Sequence, residues 1–177
     1  MRTKQSNRTR YLCQAAMVAA LYFVLTWLSA ILGLDSKTPQ CRLGEALAVL
    51  PLFMPSAVPG LGIGCLIANI YFSPLPADWI FGTLATLLGA IVCRLIGRVW
   101  HSYSFSNLVV ATLPNAVANT VIVPFILQYA YGVPEGYWLL LTSVGLGEVV
   151  SGVVFGTILA LAIPQIIKRK LSSGGVW

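Results

Sequence analysis

The sequence predicts an all-α membrane protein of six transmembrane helices, and three observations predict it. Of its 177 residues 58% are hydrophobic and only 9% charged, with a mean hydropathy of +0.84, whereas soluble domains run near one quarter charged. The apolar residues fall into six runs separated by proline, glycine and polar turns. Nine of the eleven Lys and Arg residues lie at three places that six crossings put on one side of a bilayer. At roughly 20 residues per span, the length leaves room for a single integral membrane domain, residues 1–177, and no soluble one.

The charges orient the runs. Arg2, Lys4, Arg8 and Arg10 precede the first, Arg94 and Arg98 close the fourth, and Lys168, Arg169 and Lys170 close the sixth. The positive-inside rule places all three clusters, and both termini, in the cytoplasm of a multi-pass cell-membrane protein. Asp35, Asp78 and Glu135 then fall in the outer loops, while Glu45 and Glu148 lie inside apolar segments. The net charge of +6 sits at segment ends, facing lipid headgroups, and does not point to nucleic acid.

Segment one, Tyr11 to Leu34, is too long for a signal peptide's apolar region and reads as a retained helix. Segment two, Leu43 to Met54, is apolar for a dozen residues and contains Pro51, so it is short or distorted. Segment three, Gly60 to Phe72, opens on Gly60, Gly62 and Gly64, which favour close helix packing. Segment four, Trp79 to Ile96, returns to Arg94 and Arg98, before a polar stretch with His101 and Ser102. Segment five, Leu108 to Tyr129, carries Pro114 and Pro124 around an expected bend. Segment six, Tyr137 to Ile163, ends at the Lys168 cluster.

Glu148 lies eleven residues into segment six, about 16 Å along a helix and near the bilayer midplane. An acidic residue there costs about 2.5 to 3.5 kcal/mol on insertion scales. It is therefore protonated, paired with Asn119 at similar depth or with water, or ready for a cationic or donor-rich ligand. Glu45 follows Arg42 by three residues, which allows a local ion pair or an Arg42-oriented carboxylate facing a cavity. Asn115 and Asn119 share a face of segment five, and Asn69 adds a third amide. Trp79 and Trp138 are membrane-belt anchors or stacking partners. Ala15 with Ala19, and Ala16 with Ala20, form small-residue stripes suited to helix packing, within the chain or against a partner.

Cys13, Cys41, Cys65 and Cys93 are scattered, with no CxxC pair and one histidine, so neither a metal site nor a disulfide framework is indicated and no cofactor is implied. Cys41, in an outer loop, is expected to be the most exposed thiol. The sequence lacks GxxxxGK[ST], HExxH and GxSxG. Energy for accumulation must then come from a partner or an ion gradient, and a stand-alone secondary transporter is the rival class.

The run Gln40-Cys41-Arg42-Leu43-Gly44-Glu45-Ala46-Leu47-Ala48-Val49-Leu50-Pro51-Leu52-Phe53, followed by Pro59-Gly60 and Gly64-Cys65, resembles the queuosine-precursor transporter family. Thr9-Arg10-Tyr11, Phe81-Gly82-Thr83-Leu84-Ala85-Thr86-Leu87-Leu88 and Gly145-Leu146-Gly147-Glu148 are similar to it as well. Segment five departs most: Ala118-Asn119 stands where the family has its asparagine, with Asn115 as the other candidate. The resemblance implies a six-helix S component of an energy-coupling factor (ECF) transporter, partnered by a transmembrane coupling protein and two cytoplasmic ATPases. It implies docking through Ala15, Ala16, Ala19 and Ala20, and a 7-deazaguanine solute. Glu45 and Glu148 would read that solute, aided by Asn119, with Trp79 or Trp138 stacking and Asp78 at the mouth.

Overall fold

The computed structural model describes residues 2–34, 41–100 and 104–163; Asp35, His101, Ser102 and the Lys168, Arg169, Lys170 cluster lie outside them. The described residues form helices and turns only. In chain order these are α1 (Arg2–Ile31), a 3₁₀ segment (Leu43–Leu52) and α2 (Ala57–Phe72). A π-helical turn (Asp78–Gly82) then leads into α3 (Thr83–Val99), followed by α4 (Phe105–Tyr129) and α5 (Tyr137–Glu148), which continues through a π-helical stretch (Val149–Phe155). Four helical stretches are long and apolar enough to cross a membrane: Asn7–Ile31, Asp78–Val99, Phe105–Tyr129 and Tyr137–Ile163. Each successive pair of α-helices packs side by side.

Segment two is short and distorted, as its dozen apolar residues and Pro51 predict. It is a ten-residue 3₁₀ helix packed against α1, α2, α3, α4 and the π stretch, and at about 2 Å per residue it spans only about 20 Å. Its sequence explains why it sits inside. A 3₁₀ helix repeats every three residues, so Leu47 and Leu50 share one face and join Val18, Tyr22 and Leu61. Val49 and Leu52 share the next and join Cys93, Leu108 and Ala160. Ala48 and Pro51 complete the third face, also buried. Glu45 shares that third face and is buried too, so the segment leaves no side for solvent and becomes core. Arg94 closes its far end, Nη1 donating to the carbonyls of Pro51 (3.4 Å) and Leu52 (3.5 Å).

The path into this core is set by the end of α1. Gly33, at φ 67°, turns the chain in the left-handed region, with Gly33 N–H on Ala30 O (3.0 Å) and Leu34 N–H on Ser29 O (2.9 Å). This Schellman closure stops α1 three residues short of the expected end. The Ser29 hydroxyl then accepts the Leu43 N–H at 2.8 Å, pinning the start of the 3₁₀ segment to α1. The other boundaries move by a turn or less: α2 starts at Ala57, and α4 starts at Phe105 and runs through Pro114 and Pro124.

The two alanine stripes divide between two roles. Ala15 and Ala19 are buried against α2, where a Cβ on Gly60 would stand 2.7 Å from Ala15 O and one on Gly64 2.8 Å from Ala19 O. Interlocked small residues bring these backbones together. Ala15 and Ala19 are therefore consumed within the chain, whereas Ala16 and Ala20 remain exposed. Cys13 is the exposed thiol and Cys41 is half-buried, the reverse of the expected order, because the closure of α1 tucks Cys41 N–H onto Leu34 O at 2.8 Å.

Candidate solute-binding site

Glu45 is the hub. The first turn of the 3₁₀ segment delivers it into the bundle, where it is 3% exposed. Its Oε2 accepts the side-chain amides of Asn115 (2.7 Å) and Asn119 (3.3 Å), while Oε1 accepts the Tyr22 hydroxyl. All three partners donate, as a carboxylate requires. Asn115 comes so close because α3 offers no side chain at Gly89, where a Cβ would stand 2.4 Å from Asn115 Cα. The expected Arg42–Glu45 pairing is not how either is held. Arg42 precedes the helix in an extended conformation (φ −109°, ψ 110°), so the shared-face spacing does not apply, and its Nη1 donates to Asn69 Oδ1 at 3.2 Å. Asn69 in turn donates to Asp78 O at 3.1 Å and to Cys65 Sγ at 3.4 Å.

Two recesses meet at Arg42. The inner one lies between Glu45, Thr86, Asn119 and Glu148, roofed by Arg42 and Val123, and has about 20 Å³ of free volume, room for a single water. Glu148 is 7% exposed, and its Oε2 has no hydrogen-bond partner. Gly152, one turn on, keeps space beside that oxygen, for a Cβ there would lie 3.2 Å from it. Leaving a buried acceptor unmade costs about 1 to 3 kcal/mol, more for a charged group.

The outer recess, a vestibule of about 210 Å³, lies between Thr26, Asn69, Phe72, Asp78 and Tyr131, with Arg42 and Val123 common to both. It opens at the end of the bundle where α1, α2 and α4 finish and α3 begins. Arg8, Arg10, Arg94 and Arg98 lie toward the opposite end. Tyr131 OH donates to Asp78 Oδ2 at 3.1 Å and is hydrogen-bonded to the Ser73 hydroxyl. Burial raises the Tyr131 phenol above its ordinary range. Burial opposes the charge on Arg42, yet its neighbours, Asp78 foremost, hold the guanidinium protonated beyond even the usual range.

The structure thus brings together seven of the nine expected solute-site residues: Arg42, Glu45, Asn69, Asp78, Asn115, Asn119 and Glu148. The two tryptophans stand apart. Trp79 lines neither recess; its indole N–H donates to Ser73 O at 3.0 Å. Trp138 is 77% exposed, edge-on to Tyr137, because the first turn of α5 turns it outward. Phe72 and Tyr131 are the rings that line the vestibule instead. Tyr22, Thr26, Thr86 and Tyr131 were missed by sequence reasoning. Tyr22, Thr26 and Ser29 do carry a signal, a polar stripe at helical spacing through an apolar span, and all three are buried.

π-Helical turns flank the inner recess on two sides. One ends at Gly82, which lines it, and the other begins directly after Glu148. Such widened turns are frequent at functional sites because they re-aim side chains without ending the helix.

No curated protein and no solved structure matches this chain. The model of the QueT transporter family, in contrast, matches residues 12–165, a stretch that contains every element lining both recesses. A polar recess sealed inside a bundle of apolar helices is what a membrane carrier of small solutes requires, and the chain belongs to the QueT transporter family, a family of ECF S components.

Proposed function

We propose that this protein is the solute-capturing S component of an ECF importer for a queuosine precursor of the 7-deazaguanine class, 7-aminomethyl-7-deazaguanine or the queuine base. The observation that carries the reading is the unpartnered, buried oxygen of Glu148 on a recess walled by Asn119 and Thr86. A guanine-type edge presents N1–H and the 2-amino group as adjacent donors, which one carboxylate accepts in bidentate fashion. Glu148 is the reader of that edge. Glu45, whose oxygens are already taken by Tyr22, Asn115 and Asn119, holds the amides in place as the neighbouring wall.

In this reading six segments traverse or enter the bilayer, both termini are cytoplasmic, and the vestibule faces outward. A bicyclic base far exceeds a space sized for one water, so capture parts the walls of the inner recess. Energy comes from a transmembrane coupling protein and two cytoplasmic ATPases, with the exposed Ala16 and Ala20 as this chain's share of the docking face.

Calorimetric titration of the purified protein with 7-aminomethyl-7-deazaguanine tests the assignment. Glu148→Gln, which replaces an acceptor oxygen with a donor, is expected to weaken binding at least about 100-fold while expression and melting stay near wild type. Unchanged affinity in Glu148→Gln would remove the assignment. Transport into vesicles by the protein alone, driven by an ion gradient, would favour the stand-alone carrier.

A further inference from the structure

We infer that the vestibule is a second subsite, which takes a cationic substituent of the solute with Asp78 as its counter-ion. This inference rests on the reading of the inner recess as the seat of the base. Around the two recesses one guanidinium, Arg42, faces three carboxyl groups, Asp78, Glu45 and Glu148, so acidic groups outnumber cations there. Buried excess charge is costly unless a ligand compensates it. Glu45 is saturated by three neutral donors and Glu148 faces the inner recess. Asp78, 7% exposed, is the carboxylate on the vestibule wall; it faces Arg42 across that space and is the one placed to meet a second positive group.

The walls around Asp78 suit an ammonium. A primary ammonium has three donors and no acceptor. Thr26, 3% exposed, lines the vestibule, and its hydroxyl, packed against Gly44, has no partner of its own. Phe72 supplies a ring, whose face attracts a cation and whose area covers a methylene. Tyr131 spends its hydrogen on Asp78 Oδ2, fixing the carboxylate's orientation. With about 210 Å³ against about 20 Å³ inside, the vestibule already has the room for a substituent that the inner recess lacks. Arg42, shared by both spaces and bonded to Asn69, is the partition between base and substituent.

The test compares three ligands that share one base: 7-aminomethyl-, 7-cyano- and unsubstituted 7-deazaguanine, titrated calorimetrically into the purified full-length protein. Wild type is expected to bind the aminomethyl compound at least ten-fold tighter than the cyano compound. Asp78→Asn should erase that preference by weakening the aminomethyl compound at least ten-fold more than the other two, with a cooperative thermal melt reporting that the variant is folded. Thr26→Val should narrow the preference by a smaller factor, and Glu148→Gln should weaken all three alike. If wild type shows no preference for the aminomethyl compound, or if Asp78→Asn weakens all three equally, the vestibule is not a cation subsite. If none of the three binds wild type, the functional reading falls and the inference with it.

Discussion

Tyr22→Phe isolates the support that α1 gives the site. The ring is 1% exposed and stays in place, so packing is kept; what disappears is the hydroxyl that bonds Glu45 Oε1. A hydrogen bond to a charged group contributes about 1.5 to 3 kcal/mol, and Oε1 has no solvent to turn to. A loss of about 2 kcal/mol at 2 to 4 °C per kcal/mol lowers Tm by about 4 to 8 °C for a chain of this size. The assay is thermal unfolding in one detergent, followed by a thiol-reactive dye that gains access to the buried Cys65 and Cys93 as the bundle opens. Tyr137→Phe is the control: its hydroxyl donates to Val121 O at 3.2 Å on an exposed face and should cost under about 0.5 kcal/mol. The pairing itself is read from a double-mutant cycle with Glu45→Leu, in which Tyr22→Phe should cost nothing or even stabilise, since the hydroxyl then lacks its acceptor. The reasoning is refuted if Tyr22→Phe melts with wild type, or if its cost is as large without the carboxylate as with it.

Three further outcomes are expected. Gly64→Ala should destabilise by about 1 to 3 kcal/mol, because the new Cβ meets the Ala19 backbone at 2.8 Å, whereas Gly62→Ala meets the movable end of Leu87 and should cost less; equal melting shifts would count against the interlock. Ala16→Leu with Ala20→Leu should leave solute affinity intact and abolish co-purification with the coupling protein and ATPases, while Ala15→Leu should lower stability itself; retention of the complex by the Ala16, Ala20 variant would clear that stripe of a docking role. Burial raises the Cys41 thiol above its ordinary range, and only the thiolate reacts. Maleimide labelling of a variant keeping Cys41 as its sole cysteine should therefore be slower than a free thiol's at neutral pH and keep climbing where the free thiol has levelled off; a plateau at or below the free thiol's would contradict this.

The apolar runs and the shared level of Glu148 and Asn119 were legible because hydropathy and helical rise are local properties of the chain. So was the grouping of Arg42, Glu45, Asn69 and Asn115, since a buried polar residue in an apolar span needs a polar neighbour. Tyr22 was not, because its value depends on Glu45, 23 residues away on another element. Segment two was legible as short or distorted from its dozen apolar residues and Pro51, but not as core, because that depends on the other helices closing around it. The alanine stripes illustrate the same limit. One residue of offset separates Ala15 from Ala16, and only the position of Gly60 decides which of them is covered.

The buried 3₁₀ segment also constrains how the protein is made. Ten residues carrying a carboxylate, with Pro51 near the end, are a poor substrate for insertion as an independent helix. Early in synthesis Glu45 has only Tyr22 beside it; Asn115 and Asn119 arrive with α4, and the π stretch that seals the segment arrives last. The inner recess is accordingly closed last in biogenesis, and a chain whose closing helix fails to insert leaves this segment without cover, open to membrane quality control.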